Sequence, residues 1–259
     1  MDLRELNARE EQVVNRHPWE LARLKVANDI FRQQNLSNIE GFLDLGCGDS
    51  FFINSFHQLN PLNVPFFGVD INFEPPLLEK LNQENPAIKF FKTLDDLKDN
   101  YNGKISVVFL MDVIEHIEND IEFLKMVCQY PFITKDTIFI ISVPAFQSLF
   151  ASHDVFLGHY RRYDNAMLKN HIEQAGMQTL KLGYFFTSLL LPRWIQKTKE
   201  RIKPIKETTG LVEWNGSKFK TRLITSVLLL DYKIMRLLSK IGIKMPGLSN
   251  FATCKPLAS

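Results

Sequence analysis

Cysteine is scarce in this 259-residue chain: Cys47, Cys128 and Cys254 stand far apart, and none belongs to a C-x-x-C pair. An odd, scattered set excludes a disulfide framework and zinc-finger spacing, and it fits reduced thiols in a cytosol. Charge of one sign is also in short supply. A formal net charge of +2 gives no reason to expect a nucleic-acid partner, so any basic surface must come from local clustering. No apolar run approaches the ~18 residues that a membrane span needs. The opening MDLRELNAREEQ is charged and has no apolar h-region, so no signal peptide is expected and the location expected is the cytoplasm. Internal repeats and low-complexity tracts are lacking too. With 45% hydrophobic and 23% charged residues, the chain is globular and long enough for one large domain or a domain plus a subdomain.

What is present is an alternation of short β-branched or aromatic runs with helical stretches, the signature of βαβ units around a mostly parallel sheet. Strands are expected near 41–45, 64–70, 88–92, 104–111, 136–143, 177–186 and 248–255, seven in all, with helices between them. The segment 18–34 opens with Pro18 in a first-turn position and sets Leu21, Leu24, Ala27, Ile30 and Phe31 along one face. A further helix starts at Asp164, a good N-cap, turns Leu168, Ile172 and Ala175 inward, and stops at Gly176. The expected division is a helical cap over 1–35, an α/β core over 36–190, a basic helical insertion over 191–247, and a last core strand and tail over 248–259.

The stretch 40-EGFLDLGCGDSFF-52 carries a glycine turn between a predicted strand and a helix, so its backbone N–H groups would meet a polar or anionic ligand. A nicotinamide fingerprint needs a third glycine where Phe51 stands, and a G-x-x-x-x-G-K-[ST] phosphate loop is absent. Asp44, two residues before Gly46, would repel phosphates and attract a cation. In FFGVDIN the next strand ends at Asp70, whose carboxylate can accept from both hydroxyls of a ribose. One carboxylate for an ammonium or sulfonium group and another for a ribose describe S-adenosylmethionine better than NAD. The plainer alternative is that both aspartates are simply polar strand ends.

With FLDLGCG, GVDI and 107-VVFLMDVIEHI-117 in place, the chain resembles a class I S-adenosylmethionine-dependent methyltransferase from roughly His17 to Pro256. The run 143-VPAFQSLFASHDVFLGHYRRYDNAMLKNHIEQAG-176 resembles a bacterial subgroup with a VPA…HD…GH.RRY stretch after its fifth strand, and His17-Pro18-Trp19…Arg23 resembles that subgroup's N-terminal helix. The resemblance implies a doubly wound Rossmann-like sheet and conversion of S-adenosyl-L-methionine to S-adenosyl-L-homocysteine. It also implies that Gly46 and Gly48 approach the methionine part, that Asp70 holds the ribose, that Ile71 packs on the adenine, and that Met111 lines the methionine pocket. Asp112 and His116 would lie near the mouth. The sequence departs from the family pattern after the third strand, where Thr93 and Leu94 stand in place of an aspartate for the adenine amino group, and at Ser50, where a glycine is usual.

Methyl transfer from a sulfonium is an in-line displacement, so positioning and removal of one acceptor proton are the main tasks. His153, Asp154 and His159 are the candidate catalytic groups. With Tyr163 they crowd the loop after the fifth strand, at the edge where ligands of open α/β sheets bind. Arg161 and Arg162 could hold an anionic acceptor bidentately, and Trp19, Arg23, His116 and Tyr163 complete the expected acceptor pocket. The competing reading has Asp154 and the arginines tying the loop down. A metal on His153, Asp154 and His159 would lack a further ligand, and no metal is expected. The acceptor is expected to be a small molecule, a glycan or a lipid-linked compound, methylated at O, N or C; identity and oligomeric state are left open. Two other classes stand beside it: a cofactor-binding module without catalysis, and a nicotinamide oxidoreductase, against which Phe51 argues.

Composition shifts after Pro192. From Arg193 to Arg222 nine lysines and arginines face three glutamates, a surplus of six positive charges. The segment leads into 219-FKTRLITSVLLLDYKIMRLLSKIGI-243, where Leu223, Val227, Leu230, Ile234, Leu238 and Ile241 form one helical stripe and Arg222, Ser226, Lys233, Arg236 and Lys240 another. Asp231 and Lys233 interrupt the apolar run, so the helix should not span a bilayer. Either it caps the sheet's carboxyl edge with its basic stripe solvated, or it lies on the anionic inner face of a membrane and brings the site to a lipid-linked acceptor.

Overall fold

The computed structural model describes residues 16–202 and 214–257, with the side chain of Arg201 excepted. Lys203, Lys206, Glu207 and Glu213, counted above in the basic segment, lie outside the described residues, as do 1–15 of the expected cap and 258–259 of the tail.

Seven strands form a single sheet: β1 (Phe42–Leu45), β2 (Phe66–Val69), β3 (Ile88–Phe91), β4 (Val107–Met111), β5 (Ile138–Pro144), β6 (Met177–Phe185) and β7 (Ser249–Pro256). Their order is β3-β2-β1-β4-β5-β7-β6. The first five pair in parallel, and β7 enters antiparallel between β5 and β6. Strand order reverses between β1 and β4, so their carboxyl ends splay a crevice at the switch point of the sheet.

The parallel strands are near-continuous apolar runs because both faces are covered. Phe42, Phe66, Val107, Phe109, Ile138 and Ile140 join one core with α1 (Pro18–Arg32) and α2 (Phe51–Leu59). Their alternate neighbours Leu43, Phe67, Val108, Leu110, Phe139 and Ile141 join the other core with α4 (Leu94–Asn100), α5 (Asp120–Cys128) and α7 (Asn165–Gln174). The remaining helices are α3 (Pro75–Glu84), α6 (Ser152–Leu157), α8 (Leu190–Ile202) and α9 (Lys218–Lys240). Phenylalanine fills the first core: Phe42 stacks on Phe66 at 4.6 Å, and Phe56 meets Phe109 edge-on at 4.7 Å.

Local signals act as their chemistry requires. Asp164 Oδ1 accepts from the Met167 N–H at 2.8 Å, Leu168 and Ile172 are buried, and Gly176 takes φ +77° after α7. In α1, Pro18 occupies the first turn as expected, and His17 caps it, its Nδ1 accepting from the Trp19 N–H at 3.2 Å.

The insertion is oriented differently from a simple sheet cap. In α9 the buried residues are Thr225, Leu228, Tyr232 and Met235, which pack toward α1; Tyr232 donates to Asp29 Oδ2 at 2.6 Å, and Arg236 pairs with the same carboxylate. The apolar stripe read from the sequence points outward. Leu223, Val227, Leu230, Ile234 and Ile241 are all 49% exposed or more, and Leu237 beside them is 64% exposed. Leu238 alone of that stripe is half-buried. The anchoring face of α9 is short and carries a threonine and a tyrosine among its four buried residues, so hydrophobicity alone does not single it out. Among the described residues, no helix is long and apolar enough to cross a membrane.

Candidate active site

One cavity of about 1570 Å³ opens at the switch point, walled by the carboxyl ends of β1, β2 and β4, by α1, by the loop around α6, and by the insertion. Its floor is the glycine turn. Gly46 and Gly48 have φ of +76° and +53°, and a Cβ on Gly46 would come within 2.7 Å of Val113, so the turn closes against the β4 loop only with glycine there. Ser50 also takes a left-handed backbone, φ +61°, and its Oγ accepts from Asn54 Nδ2 at 2.9 Å.

The two strand-end aspartates differ sharply. Asp70 is fully engaged on one side: Oδ1 accepts from the Asn72 N–H and Nδ2 at 2.9 and 3.1 Å, and Oδ2 accepts from the Gly48 N–H at 2.8 Å. It therefore pins the turn and retains acceptor capacity on Oδ2 alone. Asp44 is buried, and its Oδ2 has no partner among the described residues. Burial raises its pKa to about 7, against the pull of Arg23. A buried, unsatisfied acid beside a glycine turn suits a cationic ligand group. Met111 is buried at the end of β4, whereas Ile71 is 74% exposed at the rim. Thr93 and Leu94 also line the cavity, but Thr93 is chiefly a helix cap: its Oγ1 accepts from the Asp96 N–H and donates to Asp96 Oδ2, while Leu94 is buried in the core.

Just after β4, Asp112 has φ +60°, accepts from Ser142 Oγ at 3.1 Å and pairs with Arg23, whose guanidinium lies 4.3 Å over the Trp19 ring. Trp19, Arg23, Asp112 and His116 all line the cavity. The 153–163 loop divides. His153 and His159 line the cavity, as does Arg162. Asp154 does not: fully buried, it takes hydrogen bonds from the Ala151 N–H, Arg162 Nε and Arg193 Nη2 at 2.7–2.8 Å, with His159 Nδ1 at 3.0 Å. Those partners hold its pKa well below the carboxylate range despite burial. It ties the loop together and takes no proton. Arg161 binds the Glu118 carbonyl and Asp120, and Tyr163, buried, donates to Asp120 Oδ2 at 2.6 Å; both stand outside the cavity lining. His153, pushed down to about 4 by burial and by Arg193, is neutral at pH 7 and a weak base.

Sequence reasoning missed Glu115 and Arg193. Glu115 is fully buried on the cavity wall with neither carboxylate oxygen partnered among the described residues, and burial raises its pKa well above normal. It stands in the VVFLMDVIEHI run beside Met111, Asp112 and His116, and nothing local marks it as buried. Arg193 was one charge in a basic count; no spacing rule links it to Asp154, 39 residues earlier.

The unsatisfied Asp44 oxygen, the glycine cradle and the remaining capacity of Asp70 fit S-adenosylmethionine, with Asp44 toward a cationic group and Asp70 toward the ribose. The sequence profile of a family described as a methyltransferase domain matches residues 24–196. Among solved structures, the chain is similar to a SAM-dependent methyltransferase from Archaeoglobus fulgidus, at 16% identity over 90% of this chain and 94% of that one, TM-score 0.50. It is similar also to the 4+2 cyclase SpnF, at 12% identity over 96% and 86%, TM-score 0.56. A third is mitomycin 7-O-methyltransferase MmcR, at 9% identity over 93% and 61%, TM-score 0.51. Identity at this level speaks for the fold and leaves the acceptor open. No curated protein sequence matches at a significant level.

Proposed function

The chain belongs to the methyltransferase-domain family and is an S-adenosylmethionine-dependent methyltransferase, and from that premise we propose that it methylates an amphipathic, lipid-linked acceptor at an anionic membrane surface. The observation that carries this reading is the outer face of the insertion. In α8, Leu189, Pro192, Arg193, Gln196 and Glu200, the first just ahead of the helix, line the cavity, while Leu191, Trp194, Ile195 and Ile202 on another face are 40–80% exposed. In α9, Lys220 lines the cavity and the outward stripe runs beside exposed Arg222, Lys233 and Lys240. Large exposed apolar surface flanked by cations suits the boundary between headgroups and acyl chains. A helix pair that walls the site and rests on lipid would deliver an acceptor without its leaving the membrane.

Bound S-adenosylmethionine supplies an electrophilic methyl carbon on a sulfonium. The protein's share is positional: Asp44 and Asp70 with the glycine turn fix the donor end, and the linked group of Trp19, Arg23 and Asp112 lines the same cavity. Asp154 is committed to two arginines and His153 is a weak base. Control of the acceptor proton therefore falls to the polar cluster of Glu115, His116 and His159.

Co-sedimentation tests the reading. The protein should pellet with phosphatidylglycerol vesicles, be released by salt, and ignore phosphatidylcholine vesicles; with labelled donor, methyl groups should enter the lipid fraction of a cell extract. Protein that stays in the supernatant even at low ionic strength, with label confined to aqueous products, would leave only the general methyltransferase assignment standing.

A further inference from the structure

Glu115 calls for an explanation. A fully buried carboxyl group whose two oxygens both lack partners among the described residues is destabilising, and buried carboxylates of this kind are ordinarily paired or bound to a metal. Two imidazoles stand beside it. One ligand atom from each of Glu115, His116 and His159 falls within a cluster whose members are all within 4.8 Å of one another. The rings of His116 and His159 meet edge-on at 4.5 Å and 82°, though they come from different parts of the chain, one from the turn after β4 and the other from the loop after α6.

Both rings are oriented from behind. His159 Nδ1 lies 3.0 Å from Asp154 Oδ1, and His116 Nδ1 lies 3.1 Å from the Leu157 carbonyl oxygen. A carbonyl oxygen and an arginine-held carboxylate only accept, so Nδ1 is the protonated nitrogen on each ring and Nε2 is the basic one. An imidazole whose far nitrogen donates to a carboxylate or a backbone carbonyl is the usual arrangement of a metal-binding histidine. The Asp154 hub, with Arg162 and Arg193 around it, fits this too: it is a support for His159.

We propose that Glu115, His116 and His159 bind one divalent cation of the zinc class. Two nitrogens and one carboxylate suit Zn²⁺ or Co²⁺ better than Mg²⁺ or Ca²⁺, which take oxygen-rich shells, and three protein ligands leave a position open to the cavity that all three line. Its role rests on the proposed methyl transfer. An acceptor hydroxyl at the open position loses its proton to water more readily. Its oxygen then takes the methyl carbon as the carbon–sulfur bond breaks, and sulfur keeps the electron pair.

The experiment uses the full chain without a histidine tag, freed of metal with chelator and titrated with Co²⁺ and Zn²⁺. One equivalent should bind, with visible Co²⁺ d–d bands of nitrogen–oxygen coordination. Glu115→Gln, isosteric and able to stay buried, and His159→Gln should each weaken binding on the order of 10–100-fold, while circular dichroism and S-adenosylhomocysteine affinity stay unchanged. No saturable binding by the wild-type chain, or affinity that neither substitution alters, overturns the site. The S-adenosylhomocysteine titration separates this outcome from failure of the methyltransferase reading, since a chain that binds metal and not the cofactor product would fail only the latter.

Discussion

Of the buried carboxylates in and around the cavity, four fall into two contrasting pairs. Asp154 and Asp120 are saturated: two arginines, a backbone N–H and a histidine converge on the first, and Arg161, Tyr163 and His171 on the second. Asp44 and Glu115 are equally buried and keep oxygens without partners among the described residues. Folding gains structure from the first pair and only destabilisation from the second. A protein keeps such a group where a ligand completes it, so the contrast separates scaffold from site better than residue type does.

The contrast breaks most directly at Asp154. Removing it in Asp154→Ala strands Arg162 and Arg193 in the interior, and we expect a loss of about 3–5 kcal/mol in unfolding free energy, measured by denaturant titration. A loss under about 1 kcal/mol would refute the scaffold role.

Asp44→Asn should do the reverse. With its pKa raised from 3.8 to about 7, Asp44 takes up a proton on folding between those values, so its burial costs nothing below about pH 4 and progressively more as pH rises to about 7. The groups that set this balance are Arg23 on α1, Asp70 after β2 and Asp49 in the turn. The ligand-free variant should therefore match the wild type at pH 4 and exceed it at pH 8 by up to about 4 kcal/mol. Thermal melts at the two pH values check this, and titration with S-adenosylmethionine should show a weaker complex.

Asp70 tests the middle ground, since it pins the glycine turn and is proposed to hold the ribose. Asp70→Ala should weaken S-adenosylhomocysteine binding by about 2–3 kcal/mol in calorimetry, through loss of a charged acceptor and of the Gly48 tether. Unchanged affinity would remove the ribose assignment. Thr93→Ala gives the smallest effect. Loss of the α4 cap should cost about 1 kcal/mol of stability and leave cofactor affinity alone, whereas a matching affinity loss would restore Thr93 as a binding residue.

The resemblance proved sound at family level because its motifs sit where period-2 burial and glycine geometry leave little choice. Strands buried on both faces, Asp164 and Gly176 bounding α7, and a glycine turn at a strand end are local signals, readable from neighbours in sequence. Three readings required the third dimension. Arg161 and Tyr163 look like acceptor groups in a run of polar residues, yet Asp120, more than 40 positions away, takes both. The α9 stripe leaves a core face and a membrane face both open in sequence, and only the fold shows that α1 engages Tyr232 and Arg236 through Asp29 and leaves the stripe outward. Glu115 passes as an ordinary turn acid until its burial and its approach to His159 are seen.

Sequence by itself determined the sheet, the glycine turn and the carboxylates at its strand ends, because φ/ψ preference and hydrophobic period act over a few residues. Tertiary structure decided which polar groups are spent on one another and which are left for a ligand, because hydrogen-bond satisfaction is a pairwise property of atoms that only folding brings within 3 Å.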